Sequence, residues 1–220
     1  LIAGAGGLGC AVSMYLACAG VGRIRIADHG EVELGNLNRQ VLHYDRDIGG
    51  KKVASARERL EEINPDITIR AIDARIDETN AGGLVGGADG IVDALDNYPA
   101  RYILNRVSLE RGIPLFHGAI HGMYGQATTI IPGKTPCLAC IFPRAPPEEE
   151  FPVVGVTPGL VGMVQATEVL KFLLGTGNLL AGRLLLWDGL AAQASEVCVE
   201  RNPRCEVCGE GGKIRRRVRR

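Results

Sequence analysis

Three glycines near the start of the chain have the spacing of a phosphate-binding turn. Gly4, Gly6 and Gly9 follow a short apolar run and match the pattern G-x-G-x-x-G. In that pattern the first glycine makes a tight turn, the second lets a phosphate approach the backbone, and the third lets a helix pack closely on a strand. The phosphate lies at the positive end of the helix dipole. Alone, the pattern indicates a nucleotide site, with a dinucleotide as the default ligand and a purely structural turn as the alternative.

A carboxylate follows at the distance that a ribose requires. Asp28 ends an alternating run, Arg23–Asp28, and lies 19 residues after Gly9. In dinucleotide-binding folds an acid about 20 residues beyond the turn accepts hydrogen bonds from ribose hydroxyls. The alternative is an aspartate that only caps a turn or a helix. Because strand, glycine turn, helix, strand and acid come in the right order, we favour ribose binding.

Two cations and an acid lie where local structure alone gives no reason for them. Arg39 falls in residues 31–50, a polar segment that is long for a connection in a compact domain, and such segments tend to be functional. Lys52 opens a helical pattern, where a cation opposes the helix dipole and an anion would compensate it. Asp96 and Asn97 end a buried apolar run. Taken singly, these residues fit a surface ion pair, a solvated lysine and a helix cap.

Four of the seven cysteines form two C-x-x-C pairs, Cys137 with Cys140 and Cys205 with Cys208. The pairs are separated by 64 residues, which suits a tetrahedral Zn²⁺ site that ties the end of the chain to its body. A single pair also fits a redox motif, and disulfides are disfavoured in a reducing compartment. Four thiolates leave no open position on the metal, so we expect structural zinc. The other cysteines are interpreted as buried small side chains, with a reactive thiol at the last as the alternative: Cys10, Cys18 and Cys198.

The elements that would position these groups alternate between strands and helices. After an opening strand, helical patterns cover residues 10–20, 52–63, 79–85, 98–111 and 156–174, the last of them apolar and expected to be buried. Strand patterns cover residues 23–28, 67–72, 90–97, 113–119, 125–131, 183–188 and 194–199. This order predicts an α/β fold, a Rossmann-like doubly wound and mainly parallel sheet with added antiparallel strands. Ligands then bind at the carboxyl ends of the strands, where Asp28 and Asp96 both lie.

Length and charge set limits on function. The chain of 220 residues is interpreted as one domain, residues 1–220. Its 25 basic and 25 acidic residues balance, so the body has no overall electrostatic reason to bind nucleic acid or a membrane. Residues 213–220 carry six positive side chains, so we expect a flexible tail over 209–220, with a contact to RNA or an acidic partner as the alternative. Because no bilayer-spanning run or signal peptide is visible, we expect a cytoplasmic protein.

In combination these motifs resemble those of the HesA/MoeB/ThiF family, relatives of the ubiquitin-activating enzymes. The resemblance covers essentially the whole chain and includes the paired C-x-x-C motifs. Its other signatures occur in the family's order: Gly4-Ala5-Gly6-Gly7-Leu8-Gly9, Asn36-Leu37-Asn38-Arg39-Gln40, Gly49-Gly50-Lys51-Lys52 and Asp93-Ala94-Leu95-Asp96-Asn97. Members of this family adenylate the C-terminal glycine of small ubiquitin-like sulfur carriers. The resemblance therefore changes the expected nucleotide from NAD to ATP.

The resemblance also implies roles for the site residues. Asp28 holds the ribose, the glycine turn lies along the phosphates, and Asp96 binds Mg²⁺ near the α-phosphate. The expected catalytic residues are Arg39, Lys52 and Asp96, because a carboxylate that attacks an anionic phosphate needs positive charge around both. No general base is needed, since a terminal carboxylate is ionised at pH 7. The full nucleotide-binding set implied in this way is Gly4, Gly6, Gly7, Gly9, Asp28, Asn36, Asn38, Arg39, Lys52, Asp96 and Asn97.

The sequence departs from the family pattern in two places. Some members carry a cysteine in the crossover loop ahead of the long helix, where it bonds covalently to the carrier, but residues 150–158 contain none. We therefore expect adenylation alone, after which sulfide, a persulfide donor or another enzyme takes the acyl group. Relatives are homodimers in which an arginine ahead of the first strand reaches the partner's ATP. This chain opens in a strand, so we expect a missing N-terminal segment and slow turnover by these residues alone.

The expected partners are a carrier ending in Gly-Gly, a sulfur-donor protein and a second copy of the chain, with no membrane. Three other functions stay open: an NAD-dependent oxidoreductase, a non-catalytic activating-enzyme-like scaffold, and an ATP-dependent cousin that modifies tRNA. The cysteine pairs and the placement of Arg39 and Lys52 argue against the first. The full set of ATP-site side chains argues against the second. The basic tail keeps the third open.

Overall fold

The computed structural model describes residues 1–147, 151–212 and 214. In these residues eight strands share one sheet, in the order β3-β2-β1-β4-β5-β6-β7-β8. The strands are β1 Ile2–Ala3, β2 Arg23–Asp28, β3 Thr68–Asp73, β4 Ile91–Asp93, β5 Leu115–His121, β6 Tyr124–Ile130, β7 Arg183–Asp188 and β8 Gln193–Cys198. The predictions for residue 150 and for the basic tail, Ile214 apart, lie outside the described residues.

The sheet is parallel at one end and antiparallel at the other. Neighbouring strands from β3 to β5 run parallel. Those from β5 to β8 run antiparallel. The order of the parallel strands reverses direction at β1, which in doubly wound folds opens a crevice at the carboxyl ends of the strands. The predicted α/β fold, with a Rossmann-like sheet and added antiparallel strands, is confirmed.

Helices cover both faces of the sheet. They are α1 Gly7–Cys18, α2 Lys52–Ile63, α3 Ala81–Val85, α4 Tyr98–Arg111, α5 Leu138–Ile141 and α6 Val156–Leu174. On one face α1, α2 and α6 share a core that includes Leu8, Leu60 and Val161. On the other face α3, α4 and α5 share a core that includes Val85 and Leu104. Each helix therefore buries one apolar side against the sheet, as layered α/β folds require.

Several elements have the bounds that the sequence predicts, namely β2, α2, α4, α6 and β7. Strong local signals explain this agreement. In α4, for example, Asn97 Oδ1 accepts a hydrogen bond from the Ala100 N–H at 3.0 Å, and the helix ends at Gly112 with φ +69°. The first helix begins at Gly7, earlier than predicted. The sequence does not predict α5, because its four residues are too short to show a helical period.

The burial predicted for α6 is only half right. Its inner side packs on α1 so closely that a Cβ at Gly162 would lie 2.8 Å from Ala11 Cβ. Its outer side exposes Val156, Met163 and Leu174. Apolar composition alone does not tell a helix buried all round from one with an uncovered apolar side. None of the helices in the described ranges, α6 included, is long and apolar enough to cross a membrane.

Two of the three cysteines expected to be buried are exposed. Cys10, on the buried side of α1, lies in the core as predicted, whereas Cys18 and Cys198 are exposed. Cys18 is the last residue of α1. Cys198 ends β8, an edge strand whose side chains are all exposed. Position at the end of an element, which composition does not reveal, decides both cases.

Candidate nucleotide site

The predicted site residues follow three neighbouring strands. In the register of the sheet, Ala3 pairs with Ala27 of β2 on one side and with Asp93 of β4 on the other. The glycine turn follows β1, Asp28 ends β2, and Asp96 follows β4. The carboxyl ends of these parallel strands therefore bring the turn and both acids to one edge of the sheet, at the crevice.

The glycine turn shows which glycines the fold itself requires. Gly4 has φ +104°, and a Cβ there would lie 2.5 Å from Ala94 O. A Cβ at Gly9 would lie 2.0 Å from Gly4 O, so α1 packs on the turn only because residue 9 is glycine. Around Gly6 the space is open, with Gln40 Nε2 nearest at 3.9 Å. Since no side chain of the described residues caps α1, its first N–H groups are available to a phosphate.

Asp28 is fixed by the backbone on both sides of its carboxylate. Its Oδ2 accepts a hydrogen bond from the Ala5 N–H and its Oδ1 one from the Gly30 N–H, each at 2.7 Å. Each oxygen keeps a lone pair for a further donor such as a ribose hydroxyl. A Cβ at Gly30 would lie 3.4 Å from Lys52 Cδ and Cε. Gly30 therefore lets the Lys52 stem lie beside the acid.

The two lysines at the start of α2 differ in their partners. Lys51 Nζ pairs with Glu31 at 3.3 Å and with Asp73 at 3.6 Å. Within the described part of the chain, the Lys52 side-chain ammonium makes no hydrogen bond or ion pair, and the backbone N–H donates to Gly30 O at 3.1 Å. The first turn of α2 contains no acid, so no carboxylate of the helix itself offsets the opposition between the Lys52 charge and the helix dipole. Lys52 is thus a cation that is free to bind an anion.

Arg39 lies in a loop held by amide side chains. Buried Asn36 accepts a hydrogen bond from the Glu33 N–H at 3.2 Å. Asn38 Nδ2 donates to Val153 O at 3.1 Å, which joins this loop to the segment ahead of α6. Arg39 Nη1 donates to Gly35 O at 2.8 Å and to Asn38 Oδ1 at 2.9 Å. No carboxylate among the described residues pairs with the guanidinium, so most of its donors remain available.

Asp96 and Asn97 have different positions at the start of α4. Asp96 is exposed, and within residues 1–147, 151–212 and 214 its Oδ1 accepts a hydrogen bond only from Asn97 Nδ2, at 3.2 Å. Asn97 uses its own Oδ1 to cap α4. The cap, which the sequence offered as an alternative for this pair, is therefore present at Asn97. A nucleotide contact by either residue stays a prediction.

Gln40 lies beside the glycine turn and is a further candidate for this site, which the sequence predicts only as the last residue of the motif Asn36–Gln40. It is 3% exposed, and its Oε1 has no hydrogen-bond partner within the described residues. Its Nε2 is the nearest atom to the open side of Gly6. A buried amide with an unused oxygen costs free energy unless a ligand or water completes it. Its position directly after Arg39 is the signal that points to it.

A buried polar cluster beneath the Asp96 loop is also absent from the sequence predictions. Asp93 Oδ2 lies 2.7 Å from His117 Nδ1, and Asp93 Oδ1 lies 3.7 Å from Arg101 Nε. Arg101 Nη2 donates to Leu95 O at 2.6 Å, and Gln165 Nε2 donates to Asp93 O at 2.8 Å. Burial lowers the pKa of His117. These contacts fix the backbone that leads to Asp96, so the cluster positions the loop.

The four paired cysteines form a metal-sized cluster on the other face. Their sulfur atoms all lie within 4.8 Å of one another, at 3.8 Å for Cys137–Cys140, 3.7 Å for Cys137–Cys205 and 3.4 Å for Cys140–Cys208. Sulfurs about 2.3 Å from a tetrahedral Zn²⁺ would be about 3.8 Å apart. Hydrogen bonding to Cys208 and burial raise the pKa of Cys137, so four thiolates need a cation among them. The residues therefore fit zinc.

The sequence and fold are similar to those of several known proteins. Residues 1–207 match the ThiF family. The chain is 46% identical over 218 residues to the SAMP-activating enzyme E1 of Haloferax volcanii, a match that covers 96% of this chain and 80% of that protein. It is 42% identical over 221 residues to the sulfur carrier protein adenylyltransferase of Thermus thermophilus, covering 96% and 82%. The crystal structure of E. coli MccB with ATP has a TM-score of 0.82 and 26% identity, covering 94% of this chain and 65% of MccB.

Proposed function

The chain belongs to the ThiF family, and from this premise we propose that it is an ATP-dependent adenylyltransferase. It activates the C-terminal glycine carboxylate of a small ubiquitin-like sulfur-carrier protein as an acyl-adenylate. The names of the Haloferax and Thermus relatives support the activity and the class of substrate. The ATP bound to MccB supports the nucleotide. The acyl-adenylate serves sulfur transfer in a cofactor or tRNA-thiolation pathway.

One observation carries this proposal: two cations without carboxylate partners among the described residues lie beside an open phosphate turn. In the described part of the chain the Lys52 ammonium has no partner, and the Arg39 guanidinium donates only to a carbonyl and an amide oxygen. A Cβ at Gly7 would lie 3.5 Å from Arg39 Cγ. The guanidinium stem therefore adjoins the start of α1. A neutral ligand would leave both charges uncompensated, whereas a triphosphate neutralises them.

The proposed reaction is an in-line transfer at the α-phosphate. A terminal carboxylate oxygen of the carrier forms a bond to the α-phosphorus, and the bond from that phosphorus to the bridging oxygen breaks. Pyrophosphate leaves with the electron pair, and no proton moves. Lys52, Arg39 and the N–H groups of the glycine turn stabilise the negative charge that gathers during the transfer. Asp28 holds the ribose and so fixes the α-phosphate in line with the carboxylate.

Asp96 is the proposed Mg²⁺ ligand. Its carboxylate is exposed and, among the residues that the structure describes, accepts a hydrogen bond only from Asn97. Mg²⁺ is commonly held by one or two carboxylates together with substrate phosphates. When bound, the ion supplies positive charge at the α-phosphate. The Asp93 cluster keeps the Asp96 loop in place. The cysteine cluster, by contrast, holds structural Zn²⁺, because four thiolates leave the metal no open position.

The proposed assembly is a homodimer that acts with a sulfur-donor protein in the cytoplasm. The uncovered apolar side of α6, with Val156, Met163 and Leu174, supports a second copy, because apolar surface of this kind is commonly covered in oligomers. Zinc held by four thiolates needs reduced cysteines, which supports a reducing compartment. Because the crossover stretch, residues 150–158, contains no cysteine, the acyl-adenylate passes to an external sulfur nucleophile.

The test is ATP–pyrophosphate exchange by the full-length protein with each candidate carrier ending in Gly-Gly. Exchange that depends on one carrier is the expected result. Asp96→Ala should abolish it and leave the fold intact, because the side chain is exposed. Asp66→Ala is the matched control, since Asp66 is equally an exposed aspartate but precedes β3, at the opposite edge of the sheet. Exchange that survives in Asp96→Ala, or that no carrier supports, would overturn the proposal.

A further inference from the structure

We propose that His43 is a positioning residue of the nucleotide site, which sets the glycine turn at a fixed distance from α2 and Lys52. His43 lies in the loop between β2 and α2 and is 3% exposed. Its Nε2 lies 3.0 Å from Ala5 O, and its Nδ1 lies 3.0 Å from Ser55 Oγ. The imidazole therefore joins the phosphate turn to the helix that begins at Lys52.

Ala5 is held at both of its polar backbone atoms. Its N–H donates to Asp28, the ribose acid, at 2.7 Å. Its carbonyl faces His43, with the Cys10 thiol as a second and weaker donor at 3.4 Å. The residue between Gly4 and Gly6 is thus fixed on one side to β2 and on the other to the loop. Any shift of His43 moves the N–H groups that line the open side of Gly6.

The protonation of the ring follows from its neighbours. Burial lowers the pKa of His43, so the ring is neutral at pH 7 and carries one N–H. A carbonyl only accepts, so this N–H lies on Nε2 and donates to Ala5 O. Nδ1 then carries no proton and lies 3.0 Å from the Ser55 Oγ. The single proton of that hydroxyl can go to Nδ1 or to the Asp47 carboxylate, but not to both at once. Charged groups on each packed element face the ring: Lys52 on α2, Asp47 in the loop and Asp28 at the end of β2.

The far end of this hydrogen-bond chain is anchored in α2. Ser55 Oγ also lies 2.9 Å from Asp47 Oδ2, and Asp47 lies 3.5 Å from the buried Arg59. Arg59 in turn stacks on the Tyr44 ring, 4.3 Å from its centroid. The chain from Asp28 through Ala5, His43 and Ser55 therefore ends in a fixed ion pair. It holds the phosphate turn and the Lys52 helix at one separation before a nucleotide binds.

The inference rests on the proposed function, because it assigns His43 to the binding of ATP. The experiment measures ATP affinity and pyrophosphate exchange for the full-length protein and four variants. His43→Leu removes the donor to Ala5, and we expect ATP affinity to fall about tenfold, the effect of one unmet buried hydrogen bond. The KM for the carrier should stay unchanged. His43→Gln keeps an N–H at the position of Nε2 and should restore ATP affinity to within about threefold.

Cys10→Ala is the matched control, since it removes the weaker donor to the same carbonyl and should affect ATP affinity less than His43→Leu. If His43→Leu does not fold, His43→Gln and Ser55→Ala test the inference instead. His43→Gln should then bind ATP with nearly wild-type affinity, and Ser55→Ala should bind it more weakly. The inference is overturned if His43→Leu binds ATP like wild type, or if Gln fails to restore affinity while it folds normally. A wild-type protein that binds ATP but activates no carrier overturns the proposed function alone.

Discussion

Replacing Gly6 with alanine separates ligand binding from folding at the glycine turn. Gly6 has φ −82° and ψ −159°, which alanine also adopts, and the added Cβ would meet nothing closer than Gln40 Nε2 at 3.9 Å. Alanine is a poorer N-cap than glycine by roughly 0.5–1 kcal/mol. It also lowers the conformational entropy of the unfolded chain, which stabilises the folded state by a similar amount, about 0.4–1 kcal/mol. Stability should therefore change by no more than about 0.5 kcal/mol, or roughly 2 °C in Tm.

The expected effect of Gly6→Ala is on ATP. The new methyl group occupies the open side of the turn, where a phosphate would accept N–H hydrogen bonds from the start of α1. Loss of one or two charge-assisted hydrogen bonds, at about 1.5–3 kcal/mol each, weakens ATP binding by about a hundredfold. Calorimetric titration with ATP measures this loss, and thermal unfolding of the same sample measures stability.

Gly9→Ala is the paired variant with the opposite expectation. Its Cβ would lie 2.0 Å from Gly4 O and 2.8 Å from Gly4 C, so α1 must move away from the turn. Overpacking of this kind costs about 1–3 kcal/mol, or roughly 2–12 °C in Tm. A Gly6→Ala protein that binds ATP like wild type would refute the placement of phosphates along the turn. A Gly6→Ala protein whose Tm falls as far as that of Gly9→Ala would refute the open space at Gly6 that distinguishes the two positions.

Three further results are expected. Lys52→Met should weaken ATP binding by about ten- to a hundredfold. Lys51→Met breaks exposed ion pairs and should change ATP binding little. Equal losses of ATP affinity in the two variants would contradict the assignment of Lys52 as the cation that binds the triphosphate. Removal of zinc with a chelator should lower Tm and leave no metal by elemental analysis; a Tm that does not change would contradict a structural role. Burial opposes ionisation of Asp47, but the Tyr44 N–H and the Arg59 charge, among others, outweigh it and lower its pKa. Wild type should therefore exceed Asp47→Asn in stability above pH 3.8, and the difference should close as pH falls further; a difference that persists at lower pH would contradict this linkage.

The sequence predicts those parts of the fold that have strong local signals. The strand Arg23–Asp28 alternates and is bounded by glycine and an acid, and the helix Tyr98–Arg111 has a cap at each end. The glycine turn is equally local, and Gly4 and Gly9 make the tight turn and the close helix packing that the pattern predicts. The cysteine pairs carry their own spacing, and their sulfurs do lie together.

The missed features depend on contacts between distant parts of the chain. Asp93 and His117 are 24 residues apart, and Gln165 reaches Asp93 from 72 residues away, so no local pattern shows that they meet. His43 is similar, since its partner Ala5 precedes it by 38 residues. The outer side of α6 is exposed, contrary to the prediction, for a related reason: burial depends on which neighbours cover a helix. Long-range packing, rather than propensity, decides each of these cases.

The most direct test of the central claim is to follow each phosphate of ATP separately. The full-length protein is incubated with its carrier and with ATP that is radiolabelled on either the α- or the γ-phosphate. If the α-phosphate is the electrophile, the α-label appears on the carrier as an acyl-adenylate and the γ-label appears only in pyrophosphate. A γ-label on the carrier, or no label from either ATP while the carrier is bound, would contradict adenylation at this site.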